Sequence, residues 1–252
     1  MPGLGHHITI RLCEDRVLTP TMAERRIAAR VILEQGRSAN LINFSIPDTH
    51  AHMNCAVDRT ASNQLARRME LSLGKCLRLP IGFERARVKP VRDIWHQWNT
   101  FVYLFDQYRK HGLTWDPYFE GTNLPDLLGL RLTGAYTKEN LRRYLPRMPR
   151  EQLLTWLGCT SISPAEGPPE LLLDAAAAAA ALPTMTGQTQ EVQAARRSIV
   201  EIAGPRMRQR PLAELLGISR TSLYRLKQWP VDHRLVQAVR LQLGLRAAKM
   251  GA

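Results

Sequence analysis

Residues 40–57 of the chain read NLINFSIPDTHAHMNCAV, and they contain the clearest strand pattern in the sequence. Two runs within it, 40–46 and 50–57, have the alternating pattern of β-strands, and the Pro47-Asp48 pair between them is a turn signal. The sequence therefore predicts an antiparallel hairpin.

The second strand of this hairpin has two different faces. Because side chains alternate across a strand, His50 and His52 lie on one face and are followed there by Asn54. Two imidazoles on one strand face can bind a divalent cation if a third group joins them. The alternative is a pair of half-exposed histidines. The opposite face is apolar and consists of Ala51, Met53, Cys55 and Val57.

Further elements are predicted on both sides of the hairpin. An N-terminal strand is followed by a helix that ends at Gly36, and Asp93 is a good N-cap for a later helix that ends at Gly112. The order β-α-β-β-α-β-α predicts an α+β fold, an antiparallel sheet with helices packed on one face, of the ferredoxin-like kind. The additional strands are expected at 7–12 and 83–91, and the helices at 21–35, 59–77 and 93–111.

The helix predicted over 93–111 carries a candidate reactive group. On its polar side Tyr103 and Gln107 are neighbours at i and i+4 and are expected to face away from the helix's own core. A tyrosine there has a hydroxyl that is free to react, although a tyrosine at the border of an apolar stripe can also serve packing alone. The apolar stripe consists of Ile94, Trp95, Trp98, Phe101, Val102 and Phe105.

A His-hydrophobic-His strand followed about 50 residues later by a Tyr-x-x-x-Gln helix resembles the HUH endonuclease superfamily. More narrowly, it resembles the single-tyrosine transposases, including REP-associated tyrosine transposases. The resemblance covers about His6 to Arg131, with HHITIR at 6–11 and GTNLPDLLG at 121–129.

The resemblance implies a role for each matching residue. His50 and His52 would be paired ligands of Mg²⁺ or Mn²⁺, Gln107 a third ligand, and Tyr103 the nucleophile. The implied reaction cleaves single-stranded DNA, forms a 5′-phosphotyrosine link and releases a 3′-OH. Monomers and homodimers both occur among similar proteins, so a homodimer stays open.

Two departures from the family pattern motivate a second hypothesis, a catalytically inactive, transposase-derived DNA-binding regulator. Ala51 is smaller than the residue usual between the histidines, and the sequence after Tyr103 lacks the common Asn-Pro continuation. Tyr108 and Tyr118 are competing nucleophiles, although Tyr108 is expected in the core. A third hypothesis, a hydrolytic metalloenzyme, lacks the His-x-His-x-Asp-His run because Asn54-Cys55 stands where Asp-His would be.

The charge distribution favours a nucleic acid partner. The net charge is +13 and the isoelectric point about 10.3, with +8 in 1–156, −3 in 157–190 and +8 in 191–252. Trp95, Trp98 and Trp115 could stack bases, although the first two have core spacing. The expected DNA-binding residues near the site are Arg67, Arg68, Arg85, Arg87 and Lys89.

The C-terminal block predicts a second, all-α domain. The segment 209–227 has a short helix ending at Gly217 and a second helix capped by Ser219, which is the helix-turn-helix pattern. A helical bundle for protein contact shares this packing pattern. We predict a nuclease domain at 1–156, a linker with an alanine-rich helix at 157–190 and the helix-turn-helix domain at 191–252. Residues offered to DNA would be Ser219, Arg220, Thr221, Ser222, Tyr224 and Arg225.

Composition restricts the location of the protein. The N-terminus has no signal-peptide pattern, no window is apolar enough for a membrane span, and four scattered cysteines suggest no disulfide framework. We expect a cytoplasmic protein without membrane contact, acting on single-stranded DNA that also has a hairpin or duplex portion.

Overall fold

The protein is described by a computed structural model that covers residues 4–250. The chain divides into two compact units. The first comprises the described residues up to Leu128 together with Thr133–Thr160, and the second comprises Gly129–Leu132 and the described residues from Ser161 onward. Within 4–250, no helix combines the length and the apolar character that a bilayer span requires.

The first unit is α+β, and its element order is the predicted β-α-β-β-α-β-α. Its strands are β1 (Gly5–Arg11), β2 (Leu41–Ser45), β3 (His50–Cys55) and β4 (Arg87–Val91). Its first three helices are α1 (Met22–Gly36), α2 (Arg59–Cys76) and α3 (Ile94–Lys110), and one turn of 3₁₀ helix, Arg37–Ala39, precedes β2.

The four strands form one sheet in the order β2-β3-β1-β4, and all neighbouring strands are antiparallel. The predicted β2-β3 hairpin is confirmed. In the β1-β3 pair, Thr9 lies directly opposite His52. The edge strand β4 begins at Arg87 rather than at Phe83, and it tolerates Pro90 because it pairs on one side only.

An apolar core fills the space between one face of the sheet and the helices α1 and α2. Ile8 and Met53 from the sheet are fully buried there against Ile32 of α1 and Met69 of α2. The alternation predicted for β3 is confirmed on this side, because Met53 and its apolar neighbours Ala51 and Cys55 belong to this cluster.

The helix α3 lies against the opposite face of the sheet, so the expectation that all helices pack on one face is wrong. The backbone carbonyl of Phe101 accepts a hydrogen bond from Nδ2 of Asn43 on β2, at 3.0 Å. The ring of Tyr103 approaches that of His52 on β3. The polar face of the sheet is therefore covered as well, and Asn43 and Asn54 are fully buried.

Side-chain caps fix the starts of the first three helices. Thr21 and Glu24 form a capping box at α1, since each side chain bonds the other's backbone N–H. Asp58 caps α2, and the Asp93 carboxylate accepts from the backbone N–H of His96 at 2.8 Å. The last cap, which the sequence predicted, sets the position of Tyr103 along α3.

Three shorter helices complete the first unit: α4 (Leu124–Leu128), α5 (Tyr136–Tyr144) and α6 (Arg150–Leu157). From α6, the Trp156 ring packs on Phe105 at 5.0 Å between centroids, and its Nε1 donates to Asp106 at 3.0 Å. Asn140 of α5 donates a hydrogen bond to the Leu41 carbonyl on β2 at 2.9 Å. The Trp156 contacts join α3 to α6, and the Asn140 contact joins α5 to the sheet.

The second unit is helical, with α7 (Pro169–Ala179), α8 (Gln190–Ala203), α9 (Gln209–Leu216), α10 (Arg220–Lys227) and α11 (His233–Met250). Its core contains the alanine-rich helix α7, which corrects the expectation of a linker over 157–190. Ala175 and Ala179 are fully buried, and Arg246 of α11 forms an ion pair with Asp174 at 2.7 Å. Small side chains allow α7 to approach its neighbours closely, so the alanine run serves packing instead of connection.

The predicted pair of short helices around Gly217 is present in this unit. Gly217 ends α9 in the left-handed region with φ 62°, a conformation that glycine adopts without a steric penalty. The Ser219 hydroxyl accepts a hydrogen bond from the backbone N–H of Ser222 at 3.1 Å and starts α10. Leu216 and Leu223 are buried, which fixes which side of α10 remains exposed.

Candidate functional site

The two histidines of β3 lie together on the polar face of the sheet, as the alternation predicts. The ring centroids of His50 and His52 are 4.5 Å apart and the rings are perpendicular. His52 is buried and His50 is half-buried. The strand therefore presents two imidazoles to one cleft.

Two residues of β1 hold one nitrogen of His52. Nδ1 of His52 lies 3.0 Å from Nε2 of His7 and 3.1 Å from Oγ1 of Thr9. Among the described residues, Nε2 of His52 is buried and has no hydrogen-bond partner. A buried N–H without an acceptor is costly, so the favoured tautomer carries its proton on Nδ1 and leaves a lone pair on Nε2. That is the state in which an imidazole binds a metal.

Tyr103 stands beside this pair on α3. Its ring centroid is 5.7 Å from that of His52 and 6.0 Å from that of His7, and 41% of its surface is exposed. The structure thus brings together the strand motif and the helix motif, which are separated by some 50 residues in the sequence.

Gln107 is buried, with an exposed fraction of 2%, although it lies on the same side of α3 as Tyr103 and lines one open surface with it. Its Nε2 donates to the Tyr103 carbonyl at 3.3 Å, and its Oε1 lies 3.1 Å from Nε2 of His111. The His111 ring is 5.9 Å from that of His50. Gln107 is buried because α3 is covered on both sides, whereas Tyr103 one turn earlier opens to the cleft.

The histidines of the cleft are neutral at pH 7. Burial, followed by the positive charge of Lys89, lowers the pKa of His7 to about 4. Burial and the neighbouring His111 lower the pKa of His50 to about 4, and burial with His7 beside it lowers the pKa of His52 well below its usual value. Neutral imidazoles are the form that ligates metals.

A metal at this site would depend on the amide of Gln107. Within residues 4–250, no group of three or more His, Cys, Asp or Glu side chains is arranged to hold a metal ion. The lone pair of His52 Nε2 and the imidazole of His50 fit two ligand positions. The Gln107 oxygen has the chemistry of a third ligand, because a carbonyl oxygen keeps a second lone pair beyond its contact with His111.

Basic side chains surround the histidine cleft, a cavity of about 220 Å³ between β1, β3 and Tyr103. Arg85, Arg87 and Lys89 line it, and Arg87 has a weak ion pair with Glu84 at 3.9 Å. Arg85 precedes β4 and is exposed. These three predicted DNA-binding residues are therefore next to the candidate nucleophile.

Arg67 and Arg68 do not share this surface. Both are exposed on α2, which packs through Leu65 and Met69 against the apolar face of the sheet. The histidine cleft is on the other face. They therefore do not continue the surface that Arg85, Arg87 and Lys89 form.

Tyr108 lies in the core, as predicted, and its buried hydroxyl is not placed to act as the nucleophile. It is buried, its hydroxyl donates to Asp116 at 2.6 Å, and its ring stacks on Phe119 at 4.4 Å. Tyr118 is half-buried and does not line the histidine cleft. Tyr103 is the tyrosine that lines it.

The residues that orient the histidine pair were not predicted from the sequence. His7 and Thr9 alternate on β1 in the stretch HHITIR, so the period of a strand could have placed them on one face. The position of His111 depends on the tertiary placement of α3, which no local pattern encodes.

In the second unit, the predicted contact face of α10 is exposed. Arg220, Thr221, Ser222, Tyr224 and Arg225 are all accessible, with buried Leu223 and Leu226 on the other side of the helix. Ser219 is also exposed, but its hydroxyl is engaged in capping.

Comparison of the chain with protein-family models, with curated proteins and with solved structures finds no match.

Proposed function

We propose that this chain is a metal-dependent transposase that nicks and rejoins single-stranded DNA through Tyr103. The observation that carries the proposal is the position of this tyrosine. Its exposed ring stands beside a pair of neutral histidines in a cleft walled by basic residues. A tyrosine hydroxyl, imidazoles and basic side chains line one cavity, which supports the roles of nucleophile, cation ligands and phosphate counter-charges that we propose for them.

His50, His52 and Gln107 would hold Mg²⁺ or Mn²⁺. Such an ion neutralises charge on the scissile phosphate and makes the developing phenolate less unfavourable. Thr9 and His7 keep the His52 ring oriented by contacting its other nitrogen. Gln107 also donates a hydrogen bond to the backbone carbonyl of Tyr103. This bond holds the proposed third metal ligand close to the proposed nucleophile.

The proposed reaction conserves the number of phosphodiester bonds. The Tyr103 oxygen forms a bond to phosphorus, and its proton passes to solvent, which reaches the exposed ring. The bond from phosphorus to the 3′ oxygen breaks, and that oxygen takes up a proton and leaves as a 3′-OH. Because the 5′-phosphotyrosine retains the bond energy, rejoining to another 3′-OH needs no nucleotide cofactor.

Arg85, Arg87 and Lys89 would bind the phosphates on either side of the cleavage point. In the second unit, we propose that α10 binds the hairpin or duplex portion of the DNA through Arg220 and Arg225. The net charge of +13 supports a polyanionic ligand for the whole chain.

A denaturing gel tests the proposal. Labelled single-stranded DNA from the regions flanking the gene, including predicted hairpins, is incubated with Mn²⁺ and the full chain. We expect a covalent adduct that is absent from Tyr103→Phe and present in the matched control Tyr118→Phe. An adduct that persists in Tyr103→Phe would overturn the assignment of the nucleophile.

A DNA-binding regulator without catalysis is the second candidate. The observation that favours it is that the exposed face of α10 lies in a unit with its own core, so DNA binding there does not need the histidine cleft. Binding of hairpin DNA with no adduct on any flanking sequence would support this candidate against the transposase.

A further inference from the structure

An apolar groove that the proposed reaction does not use lies at the start of α3. It has a volume of about 500 Å³. Two of the apolar side chains that line it, Trp95 and Ile94, are largely accessible to solvent, with exposed fractions of 76% and 48%. Both belong to the predicted apolar stripe of α3, and the structure places them at the surface. This aromatic groove is lined by Ile94, Trp95, Trp98, Leu145, Pro146 and Arg147.

A cationic cleft of about 220 Å³ adjoins the aromatic groove, since Leu145 and Pro146 line both. Its charged residues are Lys138 and Arg142, one turn apart on α5, and Arg150 at the start of α6. None of the three forms a salt bridge with any residue in the described range 4–250. Burial and repulsion by Arg142 and Arg150 lower the pKa of Lys138.

Aromatic faces beside unpaired cations match the chemistry of one polymer in particular. Single-stranded nucleic acid offers bases for stacking and a phosphate for each base, whereas the bases of a duplex are already stacked on one another. An apolar protein segment would fit the groove by shape, but it would leave the cations of the cleft without partners. The combination therefore favours a single strand.

We propose that the aromatic groove and the cationic cleft form a second binding surface for single-stranded DNA. Bases stack on Trp95 and Trp98, and phosphates pair with Lys138, Arg142 and Arg150. The choice of DNA as the polymer rests on the proposed function.

This surface has a defined relation to the nucleophile, because α3 carries both. Trp95 and Tyr103 are eight residues apart in one helix, which is about 12 Å along its axis. That distance corresponds to roughly three or four stacked nucleotides. Asn99 and Val102 line an open surface with Tyr103 on the same helix, between the two positions. The second surface would thus hold the strand a few nucleotides from the cleavage point.

Removal of the exposed indole is the first test. The probe is a fluorescent oligothymidylate of about 16 nucleotides, and its binding to the full chain is followed by anisotropy. We expect Trp95→Ala to bind it roughly 5- to 150-fold more weakly, and Trp95→Phe to retain most of the affinity because it keeps an aromatic face. The control is Leu71→Ala, which removes another highly exposed apolar side chain, from α2. Equal affinities of Trp95→Ala and the native chain would overturn the proposal.

Removal of the cations is the second test. We expect the triple variant Lys138→Gln, Arg142→Gln, Arg150→Gln to reduce the slope of log affinity against log salt by about 2 for the oligothymidylate. The matched control removes three exposed arginines from α2, Arg59, Arg67 and Arg68, on the other side of the sheet. An equal loss in both triple variants would show non-specific charge attraction and contradict the surface.

The outcomes separate this surface from the proposed reaction. At saturating oligonucleotide from a cleavable end, Trp95→Ala should still form the covalent adduct. If no protein forms an adduct but Trp95→Ala binds weakly, the reaction fails and the surface stands. If the adduct forms while both variants bind normally, the surface fails and the reaction stands.

Discussion

The two faces of β3 differ in almost every physical property although they alternate residue by residue. On one face, Ala51, Met53 and Cys55 are buried in an apolar core with α1 and α2. On the other, His50 and His52 share a cleft with Tyr103 and basic side chains. The apolar side chains of this strand thus stabilise the fold, and its polar side chains form the candidate site.

The two faces also differ in whether their buried atoms make favourable contacts. The apolar side chains of the first face pack against one another and against α1 and α2. In contrast, Nε2 of His52 is buried without a hydrogen-bond partner among the described residues. A buried polar atom without a hydrogen bond destabilises a protein by about 1–3 kcal/mol. Retaining such an atom next to an exposed tyrosine is more typical of a functional site than of a structural core.

The largest effect is expected from His52→Gln. This variant replaces an imidazole that His7 and Thr9 hold in place by a flexible amide without those contacts, so covalent adduct formation in Mn²⁺ should fall by more than about 100-fold. The free energy of unfolding, measured in urea, should fall by about 1–3 kcal/mol, because the two contacts of Nδ1 are lost whereas Nε2 has none to lose. EDTA should have the same effect on the native chain, and added Mn²⁺ should restore activity to the native chain alone.

The control for this variant is His233→Gln, which alters an exposed histidine at the start of α11. Full adduct formation by His52→Gln would show that the polar face of β3 is not the metal site.

A substitution on the apolar face of β3 should lower stability and leave adduct formation almost unchanged. Met53→Ala leaves a cavity in the core, so the free energy of unfolding should fall by about 2–5 kcal/mol. The fraction of protein that remains folded should form adduct at nearly the native rate. Leu71→Ala, at an exposed position on α2, should alter stability by less than about 0.5 kcal/mol. A large loss of adduct in folded Met53→Ala would remove the functional separation of the two faces.

A smaller effect is expected from Thr9→Val, which keeps the shape of the side chain and removes its hydroxyl. The His52 ring then has one fewer partner at Nδ1. Loss of such an orienting contact should reduce metal affinity or adduct formation by about 10- to 100-fold. Titration with Mn²⁺ measures the change, with the exposed Thr114→Val as control. Unchanged Mn²⁺ dependence would show that Thr9 does not orient the ring.

The smallest expected effect concerns a thiol on the apolar face. Burial raises the pKa of Cys55 to about 12, so almost no reactive thiolate is present at pH 8. Iodoacetamide should label the exposed Cys13 and Cys76 of the native protein and reach Cys55 only in urea. Peptide mass spectrometry distinguishes the sites. Rapid native labelling of Cys55 would mean that this face opens to solvent.

The parts of the fold that depend on local chemistry were predictable from the sequence. Alternation and the Pro47-Asp48 turn predicted the hairpin, and Asp93 marked the start of α3. The environment of α3 was not predictable, because a helix packed against a polar sheet face does not bury its apolar stripe alone. Gln107 is therefore buried, and Trp95 is exposed.

Long-range placement explains the other differences. Nothing in the sequence of α2 shows that Arg67 and Arg68 lie on the side of the sheet away from the histidines. The alanine run of α7 lacks large apolar side chains, so its role in close packing becomes visible only beside its neighbours in the second unit. The pairing of His7 with His52 likewise depends on the register of β1 with β3.

The most direct test of Tyr103 as nucleophile is to locate the DNA on the protein. The adduct formed in Mn²⁺ is treated with nuclease and trypsin, and the modified peptide is sequenced by mass spectrometry. Cleavage after Arg92 and Arg109 yields residues 93–109, in which fragmentation distinguishes Tyr103 from Tyr108. We predict a nucleotide phosphate on Tyr103. A phosphate on Tyr108 or Tyr118, or on a residue outside the histidine cleft, would contradict the account.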